Sequence, residues 1–391
     1  MSDLLVILAL PLALATATTD TATVPTEADA VTTTAPVDSS GFLYGRIETR
    51  HDTYEGRLVW RRDRFWTDFL DATKSRRPHV RRLPREALVR TESFEVFGRT
   101  FERERHEPGS RALRIRYGDI ARLEPHSTAW TTVVLRDGHR LDAEGSWDLS
   151  RPVTVIDGEG EETAVDWRRI RTITFLPTPT DLPVTEQRLY GTVVFRRDGE
   201  EETARGYFRW DRDEATTTAV LDGETADGQD HEIPFGEIRQ LEQRDNRTLV
   251  TLDDDTELLL GGTNDVDASN RGLDLVGSDF RQTTLEWEDL VRVELEPPPG
   301  SGPAYDSFPP PRPLSGSVTT TAGEAFEGWL AFDADEDANW EILDIDTSMG
   351  ELSVPFGRIE SIARSDDATW PWTVALRDGE TLPSDATDDL G

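Results

Sequence analysis

Ile115-Arg116-Tyr117-Gly118-Asp119-Ile120-Ala121-Arg122-Leu123 is the stretch that decides the fold, because its pattern returns four more times. The pattern is aliphatic, any residue, aromatic, two residues, aliphatic, two residues, aliphatic. Its first two defined positions lie two apart, so their side chains share one face of a strand. The two steps of three that follow suit a single 3₁₀ turn. Each copy therefore predicts a strand, a tight turn and the start of another strand; the other copies begin at Val165, Ile233, Leu285 and Val354.

The aromatic residues of the motif are spaced as a double repeat. Tyr117, Trp167, Phe235, Trp287 and Phe356 follow one another at intervals of 50, 68, 52 and 69 residues. A regular long period indicates a tandem array. Each module holds about five short strands, with alternating apolar residues and Asp-Gly turns, and so resembles small SH3-like or Sm-like barrels. The sequence predicts an all-β protein made of tandem five-stranded barrels, with a β-solenoid or one continuous extended antiparallel sheet as the alternative.

Composition marks the boundaries of these repeats. Residues 41–177 are predicted to form the first double repeat, 187–297 the second, and 314–391 a third that stops before its own closing strand. The segments 178–186 and 298–313 are rich in proline and are predicted to be semi-rigid linkers. An incomplete module leaves strand edges open, so we expect self-association through it or pairing with a neighbouring chain.

The residues before the first predicted strand have the composition of a leader and a tether. Leu4 to Ala15 is an apolar run of signal-peptide length, and Ala15-Thr16-Ala17 offers a small-residue cleavage site. Residues 1–17 are therefore predicted to be a signal peptide, although no basic residue precedes the apolar run. Residues 18–40 are rich in Thr and Ala and are predicted to be flexible. We expect a periplasmic or extracellular protein without an integral membrane segment.

The charge and the absence of cysteine exclude several function classes. The chain carries 77 Asp and Glu against 42 Lys and Arg, and its net charge of −35 disfavours nucleic-acid binding. It contains no cysteine, which excludes disulfides, thiolate metal sites and cysteine nucleophiles. Such an excess of acid is typical of proteins from salt-rich (halophilic) environments, where screening relieves self-repulsion.

A basic insertion interrupts the first module near residues 74–111. Between Lys74 and Arg116 the sequence has 13 basic and 6 acidic residues, so this segment has a net charge of +7 within an acidic chain. Clustered arginines can bind an anionic envelope polymer or a lipid headgroup. The alternative is that the insertion packs against the acidic modules of the same chain.

One loop carries oxygen ligands of the kind that Ca²⁺ prefers. Asp265, Asp267, Ser269 and Asn270 follow one another closely in the second double repeat and are the predicted metal ligands. The spacing departs from the EF-hand pattern, since no glycine stands at its sixth position and no glutamate at its twelfth. Asp and Asn are also ordinary turn residues, so a structural turn is the alternative.

A second group of carboxylates follows a predicted strand that ends at Trp210. It comprises Asp211, Asp213 and Glu214, and a similar acidic run follows Phe332. Paired carboxylates can bind metal or transfer protons. In a chain this acidic, a solvated face is the alternative interpretation.

These observations predict an exported, non-enzymatic binding or scaffold protein of the cell envelope, with no cofactor unless the loop binds Ca²⁺. The sequence has no nucleophile-elbow, phosphate-loop or dinucleotide-binding motif. The alternative is a metal-dependent hydrolase that uses the clustered carboxylates. A hydrolase needs carboxylates from several modules to meet in one pocket, whereas a scaffold leaves them dispersed over turns.

Overall fold

The structure is a computed structural model, and it describes residues 38–74, 89–96, 99–106, 111–145, 148–180, 182, 184–197, 199–277, 279–332, 336–347 and 350–385. The predicted signal peptide, nearly all of the predicted tether and much of the basic insertion lie outside these residues. The predictions made for them stay predictions.

The local structure predicted for the motif is confirmed in all five copies. In each, a strand leads into a three-residue 3₁₀ turn that begins at the aromatic residue, and another strand follows directly. The N–H of the residue after the turn donates to the carbonyl oxygen of the aromatic residue, which closes the turn. The aromatic side chains are all buried, so the motif supplies core residues and a chain reversal together.

The first part of the chain forms a long antiparallel sheet and a separate hairpin. Its strands are β1 (Tyr44–Thr49), β2 (Thr53–Trp60), β3 (Arg62–Asp63), β4 (Phe69–Lys74), β5 (Val89–Val96), β6 (Arg99–His106), β7 (Arg111–Arg116), β8 (Ile120–Pro125), β9 (Trp130–Leu135), β10 (Arg140–Glu144), β11 (Val153–Ile156), β12 (Glu162–Val165) and β13 (Ile170–Phe175). The sheet order is β12-β11-β2-β1-β13-β8-β9-β10-β4-β7, with β3 on β2, and β5 pairs only with β6.

The second and third parts share another long sheet, whose order is β20-β19-β18-β23-β14-β15-β21-β22-β27-β26. Hairpins β16-β17 and β24-β25 and the three-stranded sheet β28-β29-β30 stand beside it. These strands are β14 (Tyr190–Arg197), β15 (Glu200–Trp210), β16 (Val220–Glu224), β17 (Asp230–Pro234), β18 (Ile238–Arg244), β19 (Arg247–Leu252), β20 (Glu257–Leu260), β21 (Leu273–Val276), β22 (Gln282–Leu285), β23 (Leu290–Leu295), β24 (Ser315–Thr319), β25 (Ala325–Trp329), β26 (Ile342–Thr347), β27 (Gly350–Pro355), β28 (Ile359–Arg364), β29 (Trp372–Leu376) and β30 (Thr381–Ser384).

The predicted all-β class is confirmed, and none of the sheets formed by the described residues closes into a barrel. The strands on either side of each 3₁₀ turn are not paired with each other, so each run of strands stays open at that point. The closing strands pair onward instead: β13 joins β8, and β23 joins β18. In this respect the sheets are nearer to the extended antiparallel alternative.

The opening hairpins of the first and second double repeats pair with strands from the second half of the same repeat. Hairpin β1-β2 lies between β13 and β11, and hairpin β14-β15 lies between β23 and β21. Each of these two hairpins carries a glycine on either strand, and the neighbouring strand approaches its backbone closely there.

The close approach is visible at four glycines. A Cβ added at Gly45 would lie 2.5 Å from the carbonyl oxygen of Thr174, and one at Gly56 would lie 2.1 Å from that of Ile156. Gly191 and Gly206 meet the neighbouring strands in the same way, at 2.1 and 2.6 Å. No side chain fits at these distances, so these glycines mark where a third and a fourth strand dock on the hairpin.

Aromatic residues of the motif and of the hairpins form the cores. The Trp60 ring lies 5.5 Å from that of Trp167 and 5.8 Å from that of Tyr117 in the first part. The predicted linkers also contribute core residues. Leu182 and Val184 pack with Phe42 and Phe65, and the second linker buries Tyr305 and Phe308 in the core of the first part.

No helix within the described residues is long and apolar enough to cross a membrane.

Candidate functional site

A tight turn after β15 positions the carboxylates that follow Trp210. Trp210 and Glu214 exchange backbone hydrogen bonds of 2.8 and 3.0 Å, so the chain reverses within four residues. Asp211 and Arg212 have φ of 45° and 54°, the left-handed region that few residues other than glycine adopt. The indole Nε1 of Trp210 donates to the carbonyl oxygen of Asp265 at 2.8 Å, which fixes the 261–272 loop against this turn.

Three carboxylates from the turn and the loop meet here. One oxygen each of Asp211, Glu214 and Asp265 lies within 4.8 Å of the other two, a separation at which one metal ion could bind all three. Asp211 is fully buried and Asp265 is nearly so. We call these three residues the carboxylate cluster.

Hydrogen bonds hold two of the three carboxylates. Asp211 accepts from the backbone N–H of Arg271 at 2.5 Å and from its guanidinium at 2.6 and 3.1 Å. Asp265 accepts from the backbone N–H of Asp222 at 2.9 Å, and Asn264 donates to both Asp211 and Asp265. Glu214 differs, because its buried Oε2 has no hydrogen-bond partner. The cluster therefore has one carboxylate oxygen that is available to a proton or a cation.

The surroundings favour a protonated Glu214. Burial raises its pKa to about 8, and the negative charges of Asp265, Asp213 and Asp211 act in the same direction. Burial likewise raises the pKa of Asp265 to about 6, against the hydrogen bond from Asp222. The hydrogen bonds with Asp211 raise the pKa of Arg271 above its ordinary value, which stabilises the charged form of this side chain. At neutral pH the cluster therefore keeps a proton on Glu214.

The equivalent position in the first part carries an ion pair. There the indole Nε1 of Trp60 donates to the carbonyl oxygen of Asp148 at 2.8 Å, as Trp210 does to Asp265. Arg64 stands four residues after Trp60, and its Nη2 donates to Asp148 at 2.8 Å. In the second part the turn after the tryptophan is one residue longer, so Ala215 has the backbone position of Arg64. The Glu214 carboxylate, from within that longer turn, lies close to the carboxylate of Asp265.

The residues predicted as Ca²⁺ ligands lie in the same loop but do not converge. Asp265 belongs to the carboxylate cluster. Asp267 accepts from the backbone N–H and the hydroxyl of Ser269 at 2.9 and 2.6 Å. Asn270 spans the loop, donating to the carbonyl oxygen of Asp265 at 3.3 Å and accepting from the N–H of Gly272 at 2.7 Å. Asp267, Ser269 and Asn270 thus bond within the loop, and their role as metal ligands stays a prediction.

Sequence reasoning identified Asp265 and Glu214 separately and missed that they meet. The signal was present in the spacing after the hairpin tryptophan. Trp60 is followed at the fourth position by Arg64, and Trp210 by Glu214. Comparison with known protein families, with curated proteins and with solved structures gives no match for the chain.

Proposed function

We propose that this chain is an exported, non-enzymatic binding or scaffold protein of the cell envelope, and that it binds another polypeptide through the hairpin β24-β25. The observation that carries the proposal is the state of this hairpin. Its two strands pair with each other and with no other strand of the described residues. The apolar run at residues 4–15 supports export.

The hairpin exposes three large apolar side chains, and the counterparts of one of them, Val318, are buried. Val318 is 49% exposed, Phe326 60% and Trp329 78%. Ile47 and Val193 occupy the position of Val318 in the two other opening hairpins, and both are fully buried. Val318 and Phe326 are paired across the two strands and lie on one face, whereas Trp329 lies on the other face. Exposed apolar side chains grouped in this way typically mark an interaction site.

The glycines of this hairpin support a strand as the occupant. Gly316 and Gly328 correspond to the glycines at which neighbouring strands dock on β1-β2 and β14-β15. Around Gly328 no atom lies within 4 Å of an added Cβ, and around Gly316 only the side chain of Leu330 does. Each edge therefore keeps the space that a docking strand requires but has no strand in it.

The edge of β24 carries nothing that opposes pairing. Its sequence, Ser315-Gly316-Ser317-Val318-Thr319, has no charged residue and no proline, the features that usually protect an edge strand. The other opening hairpins bind a strand-strand-3₁₀-strand segment, either β11 to β13 or β21 to β23. The partner that fits is a polypeptide segment of this kind, added at both edges of the hairpin.

The alternative, a metal-dependent hydrolase, is favoured by one observation, the carboxylate cluster. Its carboxylates come from one turn and one loop, which belong to the two neighbouring modules of the second double repeat. Hydrogen bonds from Arg271 and Asn264 already occupy Asp211. This arrangement supports binding or scaffolding over hydrolysis.

A peptide with the sequence of residues 270–297, which includes β21 to β23, tests the proposal. We expect the labelled peptide to bind the full chain saturably in fluorescence polarisation. Val318→Lys should weaken binding by about tenfold or more, because a charge would enter an apolar contact. Leu259→Lys is the matched control, since Leu259 is 44% exposed on β20 at another sheet edge.

Two results would contradict the proposal. The first is equal binding by the wild-type chain and Val318→Lys, and the second is no binding at about 100 μM peptide. Sedimentation of the chain without peptide tests a different occupant. A concentration-dependent dimer that Val318→Lys abolishes would make a second copy the partner.

A further inference from the structure

A small cavity lies between the first and second parts of the chain. Its volume is about 100 Å³, and it is lined from the first part by residues around β3, β4 and β7 and from the second part by residues of β15, β21 and β22. A water molecule occupies about 30 Å³ of liquid, so the cavity has room for about three waters or one small ion.

The lining of this cavity is rich in arginine. Five guanidinium groups contribute to it, those of Arg62, Arg64, Arg114, Arg188 and Arg209. Three carboxylates accompany them, from Asp68, Asp71 and Asp274. The cavity walls are therefore basic in a chain whose net charge is −35.

Four of these arginines have carboxylate partners close by. Arg64 donates to Asp148 at 2.8 Å and Arg209 to Asp68 at 2.6 Å. Arg114 donates to Asp344 at 2.9 Å, and Arg62 donates to Asp213. These contacts balance those four positive charges with negative ones.

Arg188 differs from them. It is only 4% exposed, and the carboxylate nearest to it in charge interaction, that of Asp68, forms its ion pair with Arg209 instead. Its guanidinium lies 4.1 Å from the centre of the Phe65 ring and 4.7 Å from that of Tyr207. Nη2 donates to the hydroxyl of Thr67 at 3.0 Å, while Nε and Nη1 have no acceptor.

Arg188 keeps its charge in this position. Burial lowers its pKa to about 10, so the guanidinium is still protonated at neutral pH. Asp68, which is bonded to Arg209, attracts this charge, but no acceptor lies at Nε or Nη1 of Arg188. Buried donors without acceptors are costly, so the position favours an anion that supplies them.

The other donors without acceptors indicate which type of anion fits the cavity. Arg62 and Arg64 each have a buried Nε without an acceptor, in addition to Nε and Nη1 of Arg188. A tetrahedral oxyanion offers several acceptor oxygens to donors on different guanidinium groups, and arginine forms strong charge-assisted bonds to phosphate. We propose that this cavity is a binding site for a phosphate-type oxyanion and that Arg188 is its principal ligand.

The proposal is independent of the hairpin β24-β25, which lies in another part of the chain. Because the cavity is lined by both the first and the second part, a bound oxyanion would link them. Ligand that binds only the folded chain raises its stability in proportion to the logarithm of ligand concentration. Unfolding therefore reports binding directly.

The test is thermal unfolding of the full chain in phosphate, with NaCl adjusted to constant ionic strength. We expect the midpoint to rise with the logarithm of phosphate concentration above its Kd, by about 3 °C at 100-fold above it. Arg188→Met should abolish this response and be at least as stable as wild type without phosphate, because it removes buried donors that have no acceptor. Arg168→Gln removes a charge from a side chain that is 75% exposed and should respond like wild type.

A second variant and a second ligand complete the test. If Arg188→Met does not fold, Arg62→Gln should bind phosphate about tenfold more weakly, as measured by calorimetry. Glycerol 3-phosphate distinguishes sources: its binding assigns the site to a phosphomonoester group, and binding of inorganic phosphate alone assigns it to the free ion. An unchanged wild-type midpoint in phosphate, or an equal rise in Arg188→Met, would overturn the proposal.

Discussion

Glu214 should make the stability of this protein depend on pH, and Glu214→Gln should remove that dependence. The folded pKa of Glu214 is about 8, whereas an unfolded chain gives glutamate a pKa of about 4.3. Below both values the side chain is protonated in either state, and it contributes nothing. As pH rises from about 4.3 to 8, the unfolded chain loses the proton first, so stability falls across this window and then levels off.

The size of the effect follows from the two pKa values. At about 1.36 kcal/mol for each pH unit between them, the ceiling is about 5 kcal/mol. Glu214 is only partly buried, so solvent screening reduces this to about 2 kcal/mol. Glutamine resembles the protonated side chain and avoids the charge. We therefore expect Glu214→Gln to match wild type near pH 5 and to exceed it by about 2 kcal/mol at pH 8.5.

Urea unfolding followed by tryptophan fluorescence at pH 5, 7 and 8.5 measures this difference at fixed NaCl. Glu232→Gln is the matched control, since Glu232 is exposed on β17 and its neutralisation relieves only general repulsion. A gain of equal size in both variants would assign the effect to net charge. A Glu214→Gln variant less stable than wild type at pH 8.5 would refute the reasoning, because it would mean that the carboxylate has a stabilising partner.

Two further predictions concern the loop and the second proline-rich segment. With CaCl₂ at constant ionic strength and pH 8.5, we expect the unfolding midpoint of wild type and of Asp267→Ala to rise, and that of Glu214→Gln to stay unchanged, because Asp267 lies outside the carboxylate cluster. If Asp267→Ala loses the response to CaCl₂, the Ca²⁺ ligands are those that the sequence predicted in the 261–272 loop. Phe308→Ala should cost about 3 kcal/mol in urea unfolding, because Phe308 is 3% exposed in the core of the first part. Pro309→Ala, at an exposed position, should cost under about 0.5 kcal/mol, and a similarly small cost for Phe308→Ala would mean that the segment is only a spacer.

The motif predicted local structure well because its information is local. The period of two and the steps of three constrain only nine residues, and the aromatic residue is buried in every copy. The turn between β19 and β20 shows the same robustness. Asp255 adopts φ 68° where its counterparts are Gly138 and Gly379, so the turn keeps its conformation without glycine.

Strand pairing could not be predicted in the same way. The hairpin β1-β2 pairs with strands more than 90 residues later, and no hydrophobic period specifies such a partner. The sequence shows glycines at matching positions in the opening hairpins, but it does not show why glycine is needed there. Only the carbonyl oxygens of Thr174 and Ile156, which approach Gly45 and Gly56, give that reason.

The site was only half predictable for a related reason. Asp211 and Glu214 are 54 and 51 residues from Asp265, and what joins them is the hydrogen bond from the Trp210 indole to a loop carbonyl. Because the chain is so rich in Asp and Glu, clusters of carboxylates are expected by chance and do not by themselves indicate a site. The arginine-lined cavity had no sequence signal, because its five arginines come from separate strands and turns.

The two tryptophan-anchored turns differ by one residue in length but share the same indole anchor. In both, the indole fixes a loop carbonyl at 2.8 Å, and the residue four positions later faces the loop aspartate. An arginine there makes an ion pair with Asp148, and a glutamate there makes a cluster that retains a proton near neutral pH. The first part holds its arginine beside Asp148 from a turn that is one residue shorter, with Trp60 paired to Arg62 rather than to the residue four positions later. Because the indole anchor does not involve Glu214, Glu214→Arg should keep the hydrogen bond from Trp210 to the loop and place a cation beside Asp265.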